Sequence, residues 1–416
     1  MNQPAPAPGT PRPPMTSYQK AVVAILAFLQ FSIVLDFMIM APLGAVLLDE
    51  LNIDTSQFGL VVSAYAFAAG ASGFATAGFA DKFDRKKLLL LFYVGFIGGT
   101  VLCGIAPSYE WLLAARIVTG IFGGVIGSVS MAIIADLFPL SMRGRVMGVV
   151  QTSFGASQVL GLPIGLALSN WWNWHAPFLL IAAIGAVVGV GIALVLKPID
   201  AHLKTTVKVN AFAHLLHAAT KPAYLRGFAA TILLATGGFM MMPFSTAFLV
   251  GNLSVKLTDL PMIYVVTGVF ALLMGPIAGK LSDSVGKFVV FVSGTILGAV
   301  LVIVWANLSG PTALWLVIVI NVLMFAAITA RMISAGALTS AVPAMPDRGA
   351  FMSINSSLQQ VSGGIAATLG GMIVAVQPDG SISHFDRLGW VVLAAMLITL
   401  FPMWIIDRQV KAQQRA

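Results

Sequence analysis

Polar and apolar positions along this chain do not alternate as in a water-soluble fold; long uncharged runs are separated by short charged clusters. No Asp, Glu, Lys or Arg occurs in 55–80, 88–109, 227–255, 260–279, 349–378 or 388–406. A membrane helix needs ~20 mainly apolar residues, so each run predicts one crossing. Two intervals are double, because at ~1.5 Å per residue a single helix of either length would overshoot the bilayer. The interval 146–196 turns near Asn170 to Pro177, and 288–330 turns at Asn307 to Pro311. Three spans carry one internal charge each: Lys20 to about Leu48 holds Asp36, Trp111 to Ala135 holds Arg116, and Ala313 to Val342 holds Arg331. The pattern predicts an all-α polytopic membrane protein of twelve transmembrane helices.

Composition agrees, with 58% hydrophobic and 9% charged residues, where a soluble domain carries about 25% charged. The single cysteine, Cys103, excludes an internal disulfide. A net charge of +8 raises the question of nucleic acid, but the distribution answers it. When loops are assigned alternately, every basic residue of the 23 falls on one side except Arg116, Lys256, Arg331 and Arg387. By the positive-inside rule that side, with both termini, is cytoplasmic, which places the chain in the cell membrane as a multi-pass protein with the lipid bilayer as partner and no nucleic acid. Residues 1–19, rich in proline and lacking the apolar core of a secretory signal, read as a disordered cytoplasmic tail, and 407–416 as a second tail.

Sliding the chain on itself by 202 residues aligns Phe37-Met38-Ile39-Met40 with Phe239-Met240-Met241-Met242, Leu51-Asn52-Ile53 with Leu253-Ser254-Val255, and Asp81 with Asp283. Such a series predicts two pseudo-symmetric six-helix bundles, 20–196 and 223–406, joined by a cytoplasmic linker, 197–222. Parallel halves of this kind build alternating-access transporters with a site at the midplane between them.

Between the second and third helices stands Ala77-Gly78-Phe79-Ala80-Asp81-Lys82-Phe83-Asp84-Arg85-Lys86-Lys87, and between the eighth and ninth Gly279-Lys280-Leu281-Ser282-Asp283-Ser284-Val285-Gly286-Lys287. Both resemble the loop signature G-x-L-a-D-R-x-G-R-K of the major facilitator superfamily. Ala77 and Asp84 replace glycines of that signature in the first copy. The resemblance implies a cytoplasmic gate formed by Asp81, Arg85, Asp136, Asp283, Lys287 and Arg348, with Asp81 facing the start of the eleventh helix near Arg348 and Gly349, and Arg85 reaching Asp136. The other reading makes these loops merely solvated and basic. In the fourth helix, Arg116 followed by Gly120, Gly123 and Gly124 resembles a second superfamily signature. In the fifth, Gly155 and Gly161-Leu162-Pro163-Ile164-Gly165 look like a loosened form of the G-x-x-x-G-P-x-x-G-G pattern of drug/proton antiporters, the drug and sugar efflux branch. Gly120, Gly161, Pro163 and Gly165 serve equally as close-packing positions.

A lone carboxylate in a membrane helix must be paired, hydrated or protonated. Asp36 lies ~12 Å below the outer surface and Arg116 ~9 Å, so the two can meet. A carboxylate that alternates between a guanidinium and isolation alternates between releasing and taking a proton, which makes this pair a proton-coupling candidate; a permanent structural salt bridge is the alternative. Arg331, with no membrane carboxylate in its half, either anchors an anionic substrate group or extends toward water. Gln30, Gln151, Gln158, Asn355 and Gln359 are candidates to line a substrate cavity, with Met38 as a soft wall, unless they join or pack helices instead. Trp171, Trp172 and Trp174 read as interfacial anchors. There is no catalytic or metal signature, no P-loop, and no cofactor requirement beyond protons as coupling ion, so the chain is not expected to be an enzyme. The expectation is a monomeric, proton-coupled exporter of a small organic or amphipathic molecule. Two alternatives stand beside it: a facilitator or proton symporter for organic anions, and a non-transporting receptor or sensor on the same fold.

Overall fold

The computed structural model describes residues 15–76, 80–200, 203, 211–344 and 347–415. Twelve helical paths follow the charge punctuation. They are α1 (Ser17–Met38), α2 (Thr55–Thr76), α3 (Arg85–Gly104), α4 (Tyr109–Leu137), α5 (Leu140–Ala156, a π turn Ser157–Gly161, then Leu162–Trp171) and α6 (Ala176–Val195). The second half repeats them as α7 (Pro222–Phe239), α8 (Leu260–Val285), α9 (Lys287–Ala306), α10 (Leu314–Thr339), α11 (Arg348–Ile373) and α12 (Phe385–Ile398, continued by Leu400–Arg415). Among the described residues, ten helices are long and apolar enough to cross a bilayer. The two paths outside that set are α5 and α11, repeat counterparts that carry Gln151, Gln158, Asn355 and Gln359. Their polarity is what inward-facing transmembrane helices show.

Local chemistry sets several ends. Thr16 and Gln19 form a capping box on α1: the Thr16 hydroxyl accepts from the Gln19 amide at 3.2 Å, and the Gln19 side chain accepts from the Thr16 amide at 3.1 Å. Asp84 caps α3 through the Lys87 amide at 2.9 Å and holds the Ile199 amide at 2.8 Å. The first and seventh crossings, expected to run unbroken, stop at Met38 and Phe239 and resume as short helices Gly44–Glu50 and Ser245–Gly251. Pro42 and Pro243 stand in the breaks, where a missing amide proton interrupts the helical ladder. Asn52 and Ser254, 202 apart, then both take positive φ, 48° and 57°. The duplication therefore extends to backbone conformation.

Other boundaries shift. Residues 407–415, expected as a tail, continue α12, because Asp407 pairs with Lys411 at 2.6 Å one turn on and Val410 is buried. The linker contains a helix, Ala211–Thr220. Trp171 and Trp172 are exposed as anchors should be, but Trp174 is 3% exposed, its ring stacked on His175 with centroids 3.8 Å apart, so it belongs to the core. Between α11 and α12 a hairpin of β1 (Ala375–Val376) and β2 (Ile382–Ser383) is pinned when the Asn252 side chain bonds both the amide and the carbonyl of Ile382.

The core is divided unequally. On the face opposite the termini one continuous cluster takes Leu35, Phe58 and Phe178 from the first half together with Phe244, Trp305 and Phe385 from the second. On the terminal face the halves have separate cores, one around Phe96 and Ile133, the other around Phe291 and Phe351. Polar bonds follow the same division. The Thr55 hydroxyl is shared between the carbonyls of Val374 at 2.6 Å and Gly371 at 3.0 Å, and the Asn170 amide donates to the Leu257 carbonyl at 3.0 Å, all across the seam on the far face. Helices α2 and α11 stay close along their whole length through Gly59, Gly70, Gly73, Gly364 and Gly371, and Phe74 of α2 packs on the second half's terminal core. By contrast α5 and α8 meet at Gly155, Val159, Leu272 and Gly268. The two halves share one core on the far face and have separate cores toward the termini, where α2 and α11 still join them.

Candidate functional site

Asp36 sits two residues before the break in α1, and α5 holds it there. The Ser157 hydroxyl donates to the Phe31 carbonyl at 3.1 Å, while Gly161 and Gly165 leave room for Leu35 and Ile39. The π turn Ser157–Gly161 lies between Gly155, which faces Leu272 of α8, and Gly161 and Gly165, which face α1. Arg116 projects from α4, and its Nη1 donates to Asp36 Oδ2 at 2.8 Å with both side chains fully buried. The Thr100 hydroxyl of α3 is shared between Asp36 Oδ1 at 3.2 Å and its own helix at Phe96. The Arg116 guanidinium carbon lies 4.6 Å from the centre of the Tyr65 ring on α2, a cation–π contact. Among the described residues its Nε and Nη2 have no hydrogen-bond partner. Gly120 permits this approach, since a Cβ there would meet the Tyr65 backbone, and a Cβ at Gly123 would meet the Tyr65 hydroxyl.

The expected pair is thus in contact, but Thr100 and Tyr65 were not anticipated. A lone tyrosine in the apolar run 55–80 was the available signal. The remaining candidates separate. Asn355 accepts from the Thr231 hydroxyl at 2.6 Å, tying α7 to α11, while Gln30 and Gln359 are half-buried, Gln151 is exposed and Gln158 is 7% exposed. Met38, expected on a cavity wall, is 5% exposed within the far-face core, because the break in α1 folds its side chain among apolar neighbours. Arg331, considered as a substrate anchor, lies inside one bundle: its Nε donates to the Thr295 hydroxyl at 3.1 Å and its guanidinium sits 5.6 Å from the Phe291 ring, both on α9. The rotation of α10 about its axis directs it there, against α9.

At the terminal face Arg85 Nε lies 3.3 Å from Asp136 Oδ2, joining α3 to the end of α4. Asp283 and Lys287 meet at 3.5 Å within their own loop, the Asp283 side chain 79% exposed. Arg348 is exposed at the start of α11. The side chain of Asp81 lies outside the described residues. Other basic groups cap helices: Lys86 donates to the Ala193 carbonyl at 2.8 Å, and Arg143 to the Phe138 carbonyl at 2.9 Å.

A family model described as Major Facilitator Superfamily matches residues 26–367. An uncharacterized MFS-type transporter of Bacillus subtilis, YceJ, is 28% identical over 270 residues, 64% of this chain and 68% of that one. Multidrug resistance protein 3 of the same bacterium is 30% identical over 165 residues, 40% of this chain and 32% of its own length. A bacterial homologue of the human lysosomal transporter Spinster, solved in an inward-facing and unoccupied conformation, superposes with a TM-score of 0.70 at 16% identity, covering 97% of this chain and 98% of that one. At that identity the likeness concerns the fold.

Proposed function

The chain belongs to the Major Facilitator Superfamily of membrane transporters, and from that premise we propose that it exports a small lipophilic or amphipathic molecule in exchange for protons, with Asp36 as the proton-carrying group. The observation that carries this reading is the fully buried Asp36 to Arg116 contact at 2.8 Å, a charge pair in a membrane helix beside a break in that helix. Burial of a charge pair costs several kcal/mol per ion unless geometry and further hydrogen bonds offset it. Here one guanidinium edge is unbonded, so the pair is poorly suited to a purely structural role.

In this proposal both termini are cytoplasmic, as the basic loops require. In that orientation the joint core lies on the outer side and the two separate cores on the cytoplasmic side. Proton arrival at Asp36 neutralises the carboxylate and releases Arg116, and departure restores the pair. The terminal-face residues Arg85, Asp136, Asp283, Lys287 and Arg348 belong to the cytoplasmic gate. The chain works as a monomer in the cell membrane, and the proton serves as its coupling ion. The name of multidrug resistance protein 3 favours efflux of organic compounds. The burial of Arg331 between α9 and α10 favours a substrate without an obligatory anionic group.

Reconstituted protein tests this. With an imposed proton gradient and a panel of organic cations, neutral sugars and organic anions, wild type should move protons on addition of a transported compound. Asp36→Asn should lose gradient-driven accumulation at least about tenfold, equal to ~1.4 kcal/mol of coupling, while retaining exchange. Wild-type proton flux in Asp36→Asn would refute the assignment.

A further inference from the structure

Phe37 follows Asp36 in sequence, and Phe239 is its counterpart 202 residues later. The two rings meet: their centroids are 5.7 Å apart at 67°, an edge-to-face contact between α1 and α7. Repeat-related residues that touch each other lie on the pseudo-twofold axis, the place where both halves reach a common point. On its other side Phe37 contacts Tyr65, with centroids 5.5 Å apart, and Tyr65 carries the Arg116 guanidinium. Phe239 in turn rests on Gly363 of α11, where a Cβ would strike its ring. An unbroken series of contacts therefore runs from the Asp36 to Arg116 pair inside one half, through two aromatic rings, to the axis and on to α11 of the other half.

We propose that Tyr65 and Phe37 are positioning residues that transmit the charge state of Asp36 to the seam between the halves; this rests on the proton-coupled reading above. The groups facing Asp36 are Arg116 from α4, Thr100 and Cys103 from α3, and Tyr65 from α2. When the carboxylate is neutralised, Arg116 keeps its charge but loses its only charged partner among them. Its Nε and Nη2 are already unbonded, which leaves the π face of Tyr65 as its largest remaining attraction. A shift of the guanidinium moves the ring it lies on. Tyr65 cannot absorb that movement toward α4, because Gly120 lies against its backbone and Gly123 against the far end of its ring, carbon as well as hydroxyl, so Phe37 must move. Phe37 and Phe239 are half-buried, whereas Tyr65 is 2% exposed. The linkage is fixed at its charged end and has room at the axis, as a switch between two packings requires.

The test measures conformation and needs no substrate. Nitroxide labels are placed on full-length protein in lipid by Lys82→Cys and Lys280→Cys, exposed sites within the equivalent charged motifs of the two halves, with native Cys103 buried out of reach. Distance distributions are recorded across a thousandfold change in proton concentration, from about pH 8 to about pH 5. Wild type should shift between short and long distances. Asp36→Asn should not respond; Tyr65→Leu and Phe37→Leu should sample both distances but show a pH response reduced about fivefold or more. Tyr65→Phe, which keeps the ring and loses the hydroxyl, should respond as wild type. If Tyr65→Leu fails to fold, Phe37→Leu decides alone. Wild-type responses in Tyr65→Leu and Phe37→Leu, with Asp36→Asn silent, would overturn the linkage and leave proton coupling standing. A full response in Asp36→Asn, or none in wild type, would overturn both.

Discussion

Arg116 and Arg331 are buried guanidiniums in membrane helices, one in each half of a duplicated chain, and their surroundings differ in kind. Arg116 meets a carboxylate at 2.8 Å and a tyrosine ring. Arg331 meets a hydroxyl at 3.1 Å and a phenylalanine ring, with its Nη2 unbonded. Arg331 thus has no titratable partner among these contacts, and a proton arriving nearby changes nothing in what holds it. Arg116 loses its counter-charge whenever Asp36 is neutralised. The duplication copied the helix breaks, the positive φ of Asn52 and Ser254 and the axial phenylalanines, but the buried carboxylate–guanidinium pair stands in the first half. Under the proposed coupling, the symmetric frame would supply two conformations and the asymmetric pair the signal that chooses between them.

The largest expected effect breaks the pair from its positive side. Arg116→Met leaves Asp36 buried without a counter-charge and should cost ~3–5 kcal/mol, read as a lowered thermal unfolding midpoint in detergent. Asp36→Asn combined with Arg116→Met should recover most of that loss without restoring coupling, since two neutral groups replace two charges. Equal destabilisation in the single and double variants would show that shape, not charge, matters at this contact. A smaller effect concerns the glycines beside each arginine. An added Cβ at Gly120 meets the Tyr65 backbone, which cannot yield, whereas at Gly294 it meets the Ala327 carbonyl at 3.0 Å and the Arg331 stem at 3.1 Å. Gly120→Ala should therefore cost ~1–3 kcal/mol and Gly294→Ala less, in the same unfolding measurement. Smaller still is Arg331→Met. Replacing an incompletely bonded buried charge with an apolar side chain of similar length should change stability by less than ~1 kcal/mol, in either direction, and leave proton coupling intact. Loss of coupling in Arg331→Met would cancel the contrast between the two arginines.

Much of this was legible before any coordinates. Charge-free runs fixed the spans because a charge in hydrocarbon is costly enough to be excluded, and Asp36 and Arg116 stood out as the exceptions. The rotational setting of a helix was not legible: Arg331 faces α9 of its own half, and Met38 enters the core, because side-chain direction depends on how neighbouring helices pack. Trp174 was misread for a related reason, as a polar tip allows tryptophan at an interface without requiring it. The breaks in α1 and α7 had their signal in Pro42 and Pro243, which hydropathy alone passes over. Tyr65 and Thr100 belong to the site through α2 and α3, and no local pattern in either helix points at Asp36. Phe37 and Phe239 were visible as a repeat, but that they touch follows only from the axis between the halves.

The two halves can also be compared at their terminal face, where the smallest effect is expected. In the first half the Tyr18 hydroxyl accepts from the Lys197 amide at 3.2 Å, and the Lys197 ammonium lies 5.2 Å from that ring. In the second, the Lys221 ammonium donates to Asp347 at 2.9 Å and to the Tyr224 hydroxyl at 3.2 Å, and Tyr224 donates to the same carboxylate at 2.6 Å. Hydrogen bonds to Asp347 and then to Tyr224 raise the Lys221 ammonium above its ordinary value of 10.5. The folded state favours the protonated form. Its stabilisation is therefore complete below the ordinary value and disappears as pH rises through the raised one. Lys221→Met should lower the unfolding midpoint slightly at neutral pH, less so in high salt because the ammonium is exposed, and the difference from wild type should vanish in strong alkali. Lys197→Met removes an ammonium that meets a ring, where Lys221→Met removes one that meets both a ring and a carboxylate, and should lower the midpoint less at neutral pH. Equal losses for the two variants would show that the Asp347 contact contributes nothing that the ring contact does not.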